Sequence, residues 1–492
     1  MKKVAIVGGG VTGLAAAYSI SKAIDAGADL DYIVLEKDQR FGGKIMTVRT
    51  DDGYVIEGGP DCFVSTKPQI FELAKQLGFE ERFICSNDEL KKTYILADKK
   101  LREMPDGLMM MVPTKILPFI TTDLFTWPGK IRMAMDLVIP KKKEPGDETL
   151  ASFVTRRLGR EALDRIAEPL VAGIHAGDPD TMSLEATFPN FLEMEQNYGS
   201  MIRGMLASRK AQMSASKKAQ ADAPSDKPRP KRTFFMTFKG GMLDLIDVLV
   251  KALDKDKIVK GAEVKSIDEV KGANGQTSYK LIMADGATIE ADAVILASPA
   301  NSSGNLVRSV DSQMADVLTE IPQVSSATVT MAFRTKDLKH DLKGFGFVVP
   351  SVEGRNIMAT TWSSSKWSYR APDGEHAIIR AFVGGAKAQE KAFMSDDEMK
   401  AAVRAELKDI LGIDAEPIHT WIFRWPNGMP QYTTGHMDRV NKIDERMAEH
   451  PGLYLAGGSY RGVGVPDCVA SGTKSAESAV LYLAGVAEPA VV

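Results

Sequence analysis

Three glycines near the start of the chain, Gly8, Gly10 and Gly13, stand at the spacing G-x-G-x-x-G, with Gly9, Val11 and Thr12 between them. Glycine lets a backbone turn tightly and approach a ligand with no side chain in the way. At this spacing the first permits the turn, the second admits a pyrophosphate, and the third lets a helix lie close on a strand. The chemistry is anion binding, because free N–H groups at the positive end of a helix receive a diphosphate. Beyond them stands Glu36, whose carboxylate is placed to accept from a ribose 2′-hydroxyl. That acid argues against a 2′-phosphate, and so against NADP.

The elements that must position these residues are short. Val4 to Val7 is a β-branched run that reads as a buried parallel strand, the Ala-rich stretch to Tyr18 as a helix, and Tyr32 to Leu35 as a second strand. Strand, turn, helix, strand and acid in this order indicate a dinucleotide site. Lys2-Lys3 before an apolar run imitates a secretory signal, but that run is the first sheet strand and its removal would destroy the site, so no cleavage is expected.

Two further glycine clusters follow, Phe41-Gly42-Gly43-Lys44 and Glu57-Gly58-Gly59-Pro60-Asp61. A plain NAD domain does not need them. They are either two ordinary turns or backbone lying against a larger cofactor, FAD. Near the other end, the apolar run Leu453 to Ala456 enters Gly457-Gly458-Ser459-Tyr460-Arg461-Gly462-Val463-Gly464-Val465 and opens a small-residue helix over Ser471 to Leu483. Free N–H groups there suit flavin ring oxygens or ribityl hydroxyls. Between the two ends lie a helix over Met242 to Leu253, strands at Ile258–Val259, Ala262–Ile267, Tyr279–Met283 and Ala293–Ala297, and a hairpin turn at Ala284–Gly286. A nucleotide domain is therefore interrupted and resumed around one long cofactor.

At 492 residues, with 44% hydrophobic and 26% charged residues, the chain suits two or three globular domains. A net charge of −3 gives no reason to expect nucleic acid. Cys62, Cys85 and Cys468 are scattered without a C-x-x-C and read as reduced thiols of an intracellular protein, with no metal site. No run of about twenty uncharged apolar residues exists, so no transmembrane helix is expected. Gln69 to Leu77 reads as an amphipathic helix stopped by Gly78. Met104 to Pro140 is apolar, Met-rich and broken by prolines, and suits a greasy cavity wall, a surface resting on lipid, or core helices with Met fillers. Helical pattern from Gly159 to Leu170 ends near Gly173-Ile174-His175 in a turn-rich segment, where His175 reads as structural. Arg209 to Arg232, with eight Lys/Arg against two Asp, reads as a mobile surface insertion. Val329–Phe333, Gly346–Val349 and Ala377–Val383 read as strands, and Thr360 to Trp367 as a strand edge presenting aromatics.

Together these pieces resemble the FAD-dependent porphyrinogen oxidases of haem synthesis. The resemblance is carried by Gly8 to Gly13 with Glu36, Gly58-Gly59-Pro60-Asp61, Met104 to Gly107, Glu168 to Pro179, Leu184 to Pro189, Phe238 to Gly241, Gly346 to Pro350 and Gly457 to Cys468. Amine oxidases and phytoene desaturases share the first motif, but are expected to carry Gly-Asp or Gly-Glu where this chain has Gly457-Gly458. The fold class it implies is α/β plus α+β: a discontinuous Rossmann-like FAD-binding domain, a mixed-sheet substrate domain and a helical, membrane-facing domain. The expected boundaries are 1–89, 233–310 and 416–492 for FAD binding, 90–205 for the helical part, 206–232 for the basic insertion and 311–415 for the substrate sheet.

By resemblance, FAD contacts fall on Gly8, Gly9, Gly10, Val11, Thr12, Gly13, Glu36, Lys37, Lys44, Gly58, Gly59, Pro60, Asp61, Val264, Trp425, Gly458, Val463, Gly464 and Val465. Gly173 is similar to the family glycine whose carbonyl faces the macrocycle, and Trp367 to an aromatic against a pyrrole ring; Lys67 is either a partner for a substrate carboxylate or a solvent-exposed lysine. The implied reaction is oxidation of a porphyrinogen to its porphyrin, with hydride passing to the flavin and oxygen reoxidising it. The stretch Gly59-Pro60-Asp61-Cys62-Phe63 with Lys67 is more similar to bacterial coproporphyrinogen III oxidases than to the protoporphyrinogen IX branch, which remains the alternative. Other readings are an amine oxidase or carotenoid desaturase, and a flavin scaffold that hands porphyrin to the next enzyme of haem synthesis. The implied location is cytoplasmic, with peripheral contact at the inner face of the membrane.

Overall fold

Strand Lys2–Val7 lies at the centre of a five-stranded sheet, with Leu30–Glu36 and then Ile258–Lys260 on one side and Ala293–Leu296 and then Leu453–Leu455 on the other. All of its pairings are parallel, for example Val7 opposite Leu35 and Val4 opposite Ala293. A parallel sheet is covered on both faces, so its strands are apolar throughout. Val4, Ala5 and Ile6 are fully buried accordingly. Three separate chain segments supply these strands, which is the interruption read in the sequence.

The computed structural model describes residues 1–109, 111–144, 146–221, 232–272 and 275–486. They form two compact units: Met1–Ile84, Phe234–Pro322 and His436–Val492 in the first, and Cys85–Thr233 and Gln323–Gly435 in the second. Helices Val11–Asp25 and Val465–Leu483 pack against each other in the first unit. An antiparallel meander, Val264–Lys271, Thr277–Met283 and Thr288–Ala291, completes it. Burial alternates along Thr277–Met283, as one-sided strands require. The turn between the second and third strands carries Gly286 at φ +85°.

The second unit is built on a seven-stranded mixed sheet in the order His419–Pro430, Gln323–Arg334, His376–Gly384, Ala359–Trp362, Gly346–Val348, Thr93–Ala97, Lys100–Glu103. Residues directly opposite in antiparallel strands share a face. One face, with Val329, Met331, Ile379, Ala381, Phe347 and Trp362, packs on Met399, Val403 and Leu407 of helix Asp396–Leu411. The other carries Thr328, Thr330, Arg380, Ala359 and Val348. A helical region around Phe153, Ile166 and Phe191 includes Val348 in its apolar cluster. That region is stitched by fully buried Arg157, which pairs with Asp136 and reaches the carbonyls of Ile139 and Gly199.

Several expectations are corrected. Residues 209–221 belong to one helix, Met201–Ala221, and are not part of a mobile loop; residues 222–231 of the expected insertion lie outside the described residues. Ala, Lys, Gln and Met are strong helix formers, and their propensity prevails over the low-complexity pattern. Thr360 to Trp367 is not an edge, because Ala359–Trp362 lies between two strands and continues into the short helix Ser363–Lys366. Trp362 and Trp367 are buried there. The helical pattern from Gly159 ends at His175, near the expected place, but it passes through a π-helical turn, Leu163–Ala167, before helix Glu168–His175, which stops at Ala176 with φ +48°. Strand His419–Pro430, placed by sequence with the FAD part, pairs with Gln323–Arg334 in the second unit. Helix Ser312–Thr319, placed with the substrate sheet, belongs to the first, where Asp311 caps it and pairs with Arg446.

Candidate cofactor and substrate sites

The glycines of the first unit are of two kinds. A Cβ on Gly13 would stand 1.9 Å from the Gly8 carbonyl oxygen, one on Gly472 2.1 Å from the Thr12 oxygen, and one on Gly59 1.8 Å from the Lys44 oxygen. Protein backbone already occupies those positions, so these glycines serve close packing. A Cβ on Gly10 would meet nothing nearer than Gly43 Cα at 4.0 Å, and one on Gly457 nothing nearer than Thr12 Oγ1 at 3.7 Å. Nothing in the protein fills the space beside them, as a ligand lying there would need. Gly8, at φ +113°, makes the turn that presents them.

Gly10 and Gly464 are the N-caps of helices Val11–Asp25 and Val465–Leu483, and neither helix has a side-chain cap. Exposed N–H groups at such ends receive anions. Glu36 is buried, its Oε2 accepting from Gly9 N at 2.7 Å and its Oε1 from Asp38 N at 2.9 Å. It therefore fixes the glycine turn as well as offering the remaining lone pairs to a ribose. Lys37 beside it is exposed.

Lys44 has an exposed side chain, yet surrounding protein lowers its pKa by desolvation. The Cys468 thiol, half-buried, is pushed up by burial while a hydrogen bond with Thr12 acts against it. Arg40, which the sequence reading passed over, holds the Lys44 loop by donating to the carbonyls of Gly43 at 2.5 Å and Ile45 at 3.2 Å. No periodicity or motif marks it. Gly458 stands against Val463 and Cys468, so the Gly457–Val465 loop folds on itself at the start of its helix. Pro60 and Asp61 are half-buried. Val264 is buried in the core, so its main chain is what it offers a ligand.

Lys67 does not stand as a free cation. Its Nζ lies 2.5 Å from Asp467 Oδ1, in the first turn of helix Val465–Leu483. The Asp467 carboxylate in turn packs on Gly462 and Gly464. Lys67 thus braces the glycine loop.

Gly173, Trp367 and Trp425 belong to the second unit. Gly173 is a helical residue whose added Cβ would make ordinary contacts, 3.6 Å to Val348 Cγ1 and 3.9 Å to Ala359 Cβ. Neither backbone angle nor packing calls for glycine, although glycine in a helix interior costs about 1 kcal/mol relative to alanine. The helix lies on the sheet face that carries Thr328, Thr330 and Arg380. His175 beside it is pushed down to about 4 by burial. It is neutral near pH 7, in keeping with a structural role. Trp367, 1% exposed with the Lys366 ammonium 5.0 Å from its ring, is a core side chain, contrary to the expected open pocket wall. Trp425, half-buried, stands opposite Ser326 in the sheet.

Residues 11–480 match the family described as flavin containing amine oxidoreductase. The chain belongs to that family. Its cofactor is FAD, and the first unit fits it: the uncapped N-terminus at Gly10 suits the diphosphate, the one at Gly464 suits flavin ring oxygens or ribityl hydroxyls, and Glu36 suits a ribose. The chain is 36% identical to coproporphyrinogen III oxidase of Bacillus subtilis (strain 168), over 98% of each. It is 33% identical to the Staphylococcus aureus protein of that name, over 98% of this chain and all of the relative. Protoporphyrinogen oxidase 2 of Arabidopsis thaliana is 28% identical, over 98% of this chain and 94% of its own. A crystal structure from Exiguobacterium sp. 255-15 superposes with TM-score 0.82 at 34% identity, covering 98% of this chain and 99% of the other. Cyclohexylamine oxidase of Brevibacterium oxydans, at 16% identity and TM-score 0.68 over 98% and 99%, shares the fold.

Proposed function

We propose that this chain oxidises a porphyrinogen to its porphyrin, with coproporphyrinogen III as substrate. The observation that carries the reading is the similarity, over nearly the whole of both chains, to two bacterial proteins named coproporphyrinogen III oxidase. The plant relatives named for protoporphyrinogen stand lower, at 27% to 28% identity.

FAD, when bound, would supply a two-electron acceptor; three such oxidations, each removing a hydride from the macrocycle and releasing a proton to solvent, take a porphyrinogen to its porphyrin. Among the described residues no cluster of His, Cys, Asp and Glu suits a metal ion. The work left to the chain is binding, orientation and exclusion of water. Gly10, Gly457 and the two helix N-termini would hold the cofactor, with Glu36 on the ribose and Lys44 beside it; Gly173 leaves room for about a methyl group against Val348 and Ala359, at the edge of the space assigned to the macrocycle. Oxygen is the final acceptor in this reading.

Helices Ile116–Thr121 and Trp127–Ala134 expose Ile116 at 78%, Leu117 at 72%, Trp127 at 63% and Ile131 at 63%. Lys130 Nζ, donating to the carbonyls of Ile120 and Thr122, ties the two together. Apolar surface of this kind suits peripheral docking on a membrane from the cytoplasmic side; among the described residues no helix is long and apolar enough to cross one.

The test is anaerobic mixing of the purified flavoprotein with each porphyrinogen in turn. Flavin bleaching with coproporphyrinogen III, followed by porphyrin fluorescence when air is admitted, is expected. Bleaching with protoporphyrinogen IX alone would move the substrate to the other branch, and bleaching with an amine alone would overturn the reading.

A further inference from the structure

Glu168 opens the Gly173 helix and Asp178 follows it, and the chemistry above uses neither. Both face one cation. Lys387 Nζ stands 3.7 Å from Glu168 Oε1, 3.5 Å from Asp178 Oδ1 and 3.9 Å from Asp180 Oδ2. It also lies 3.5 Å from Ser351 Oγ, while Ser351 N donates to the other Glu168 oxygen at 3.0 Å.

Lys387 sits in the turn that ends strand His376–Gly384, and that turn is pinned on both sides. Gly385 N donates to the Ser325 carbonyl at 3.0 Å, on the neighbouring strand, and Ala386 N donates to the Ala176 carbonyl at 2.8 Å, at the end of the helix. Gly385 has φ +79°, and a Cβ there would stand 2.4 Å from Met358 Sδ, so the turn admits no side chain at that point. Gln431 Nε2 donates to the His175 carbonyl at 3.1 Å and closes the same end. The helix through Gly173 does not start afresh at Glu168: Ala167 before it has helical backbone angles, and the run continues from Arg160 through a π-helical turn, whose wider winding shifts the register of what comes after. Lys387 and the turn that carries it fix this later part of the run against the sheet.

We propose that Lys387 is a positioning residue for the porphyrinogen reaction: its ammonium ties the carboxylates at both ends of the Gly173 helix to the sheet, and so sets the height of Gly173 above Val348 and Ala359. The inference rests on the porphyrinogen reading. Lys387 is partly exposed, and exposed ion pairs alone contribute little. Glu168 is 5% exposed, and a buried carboxylate deprived of its cation is costly. Burial already raises the Glu168 carboxyl above its ordinary range, with the Ser351 N–H and Lys387 acting against it. Without Lys387 the helix would settle elsewhere, and small misplacements of a bound substrate slow turnover steeply.

The test compares Lys387→Met, Lys387→Arg and Glu168→Gln, with turnover of coproporphyrinogen III expressed per bound flavin. Lys387→Met is expected to lose about tenfold in kcat per flavin with flavin content retained, as a displaced substrate would. Lys387→Arg should recover most of that loss. A purely structural role would lower the fraction of folded, flavin-loaded protein and leave kcat per flavin unchanged, and that result would overturn the proposal. Hydrogen exchange of the Glu168–His175 amides gives a readout independent of substrate. Faster exchange there in Lys387→Met supports the clamp even if the wild-type protein turns over another substrate, and unchanged exchange overturns it whatever the substrate is.

Discussion

Replacing Gly173 by alanine separates stability from function. The new methyl would meet Val348 and Ala359 at 3.6 and 3.9 Å, ordinary contact distances, so nothing in the protein has to move. Gly173 lies in a helix, and alanine there is favoured by about 1 kcal/mol. The variant should fold at least as well as wild type, with a thermal midpoint unchanged or raised by about 2 °C. The same methyl stands in the space assigned to the macrocycle. Intrusion of one methyl into a fitted site costs about 1–3 kcal/mol, which corresponds to roughly a ten- to hundredfold loss in kcat/KM. The assay is continuous porphyrin fluorescence at limiting porphyrinogen, alongside a thermal melt of the same preparation. Unchanged kcat/KM would show that Gly173 does not face substrate. A midpoint lowered by several degrees would show that the glycine serves folding, and would remove the argument for a reserved space.

Gly13→Ala would push a methyl to 1.9 Å from the Gly8 oxygen and part helix from strand, so the protein should purify without flavin; a full flavin-to-protein ratio would contradict it. Arg157→Met leaves Asp136 buried without its cation, while Glu195 keeps Arg156 at 2.6 Å; this should cost about 3–5 kcal/mol in chemical denaturation, and a loss below about 1 kcal/mol would contradict it. His175 has a folded pKa of about 4 against an unfolded value near 6.5. The unfolded chain therefore binds the extra proton between those values, and stability falls as pH drops from about 6.5 toward 4, by up to about 3 kcal/mol. Unfolding free energies at about pH 7 and pH 5 should diverge more in wild type than in His175→Gln, and equal divergence would refute the assignment.

What the sequence made legible is what local chemistry decides. The turn at Gly8 to Gly13, the apolar parallel strands and the alternation from Tyr279 to Met283 each follow from neighbours a few residues apart. The cofactor followed from having two glycine-rich strand ends in one chain. Some of the errors come from long-range pairing. Lys67 finds Asp467 across 400 residues, which no spacing rule reaches. Trp362 is buried because its strand is interior, and strand order depends on partners far away in the chain; Trp367 is buried beyond the short helix Ser363–Lys366 that follows. The end of the Gly173 helix near His175 was legible, although Ala176, which stops it, adopts the left-handed conformation usually left to glycine or asparagine. The helix through Ala221 was missed because Ser and Lys were weighed as disorder signals, although Ala, Lys and Gln favour helix.

The central claim is that FAD held in the first unit takes hydride from a tetrapyrrole. Stopped-flow absorbance under anaerobic conditions, with coproporphyrinogen III as the only reductant, tests it most directly. Bleaching of the bound flavin at a rate that matches porphyrin formation in air is the predicted result, and a flavin that stays oxidised while the porphyrinogen is present in excess would contradict it.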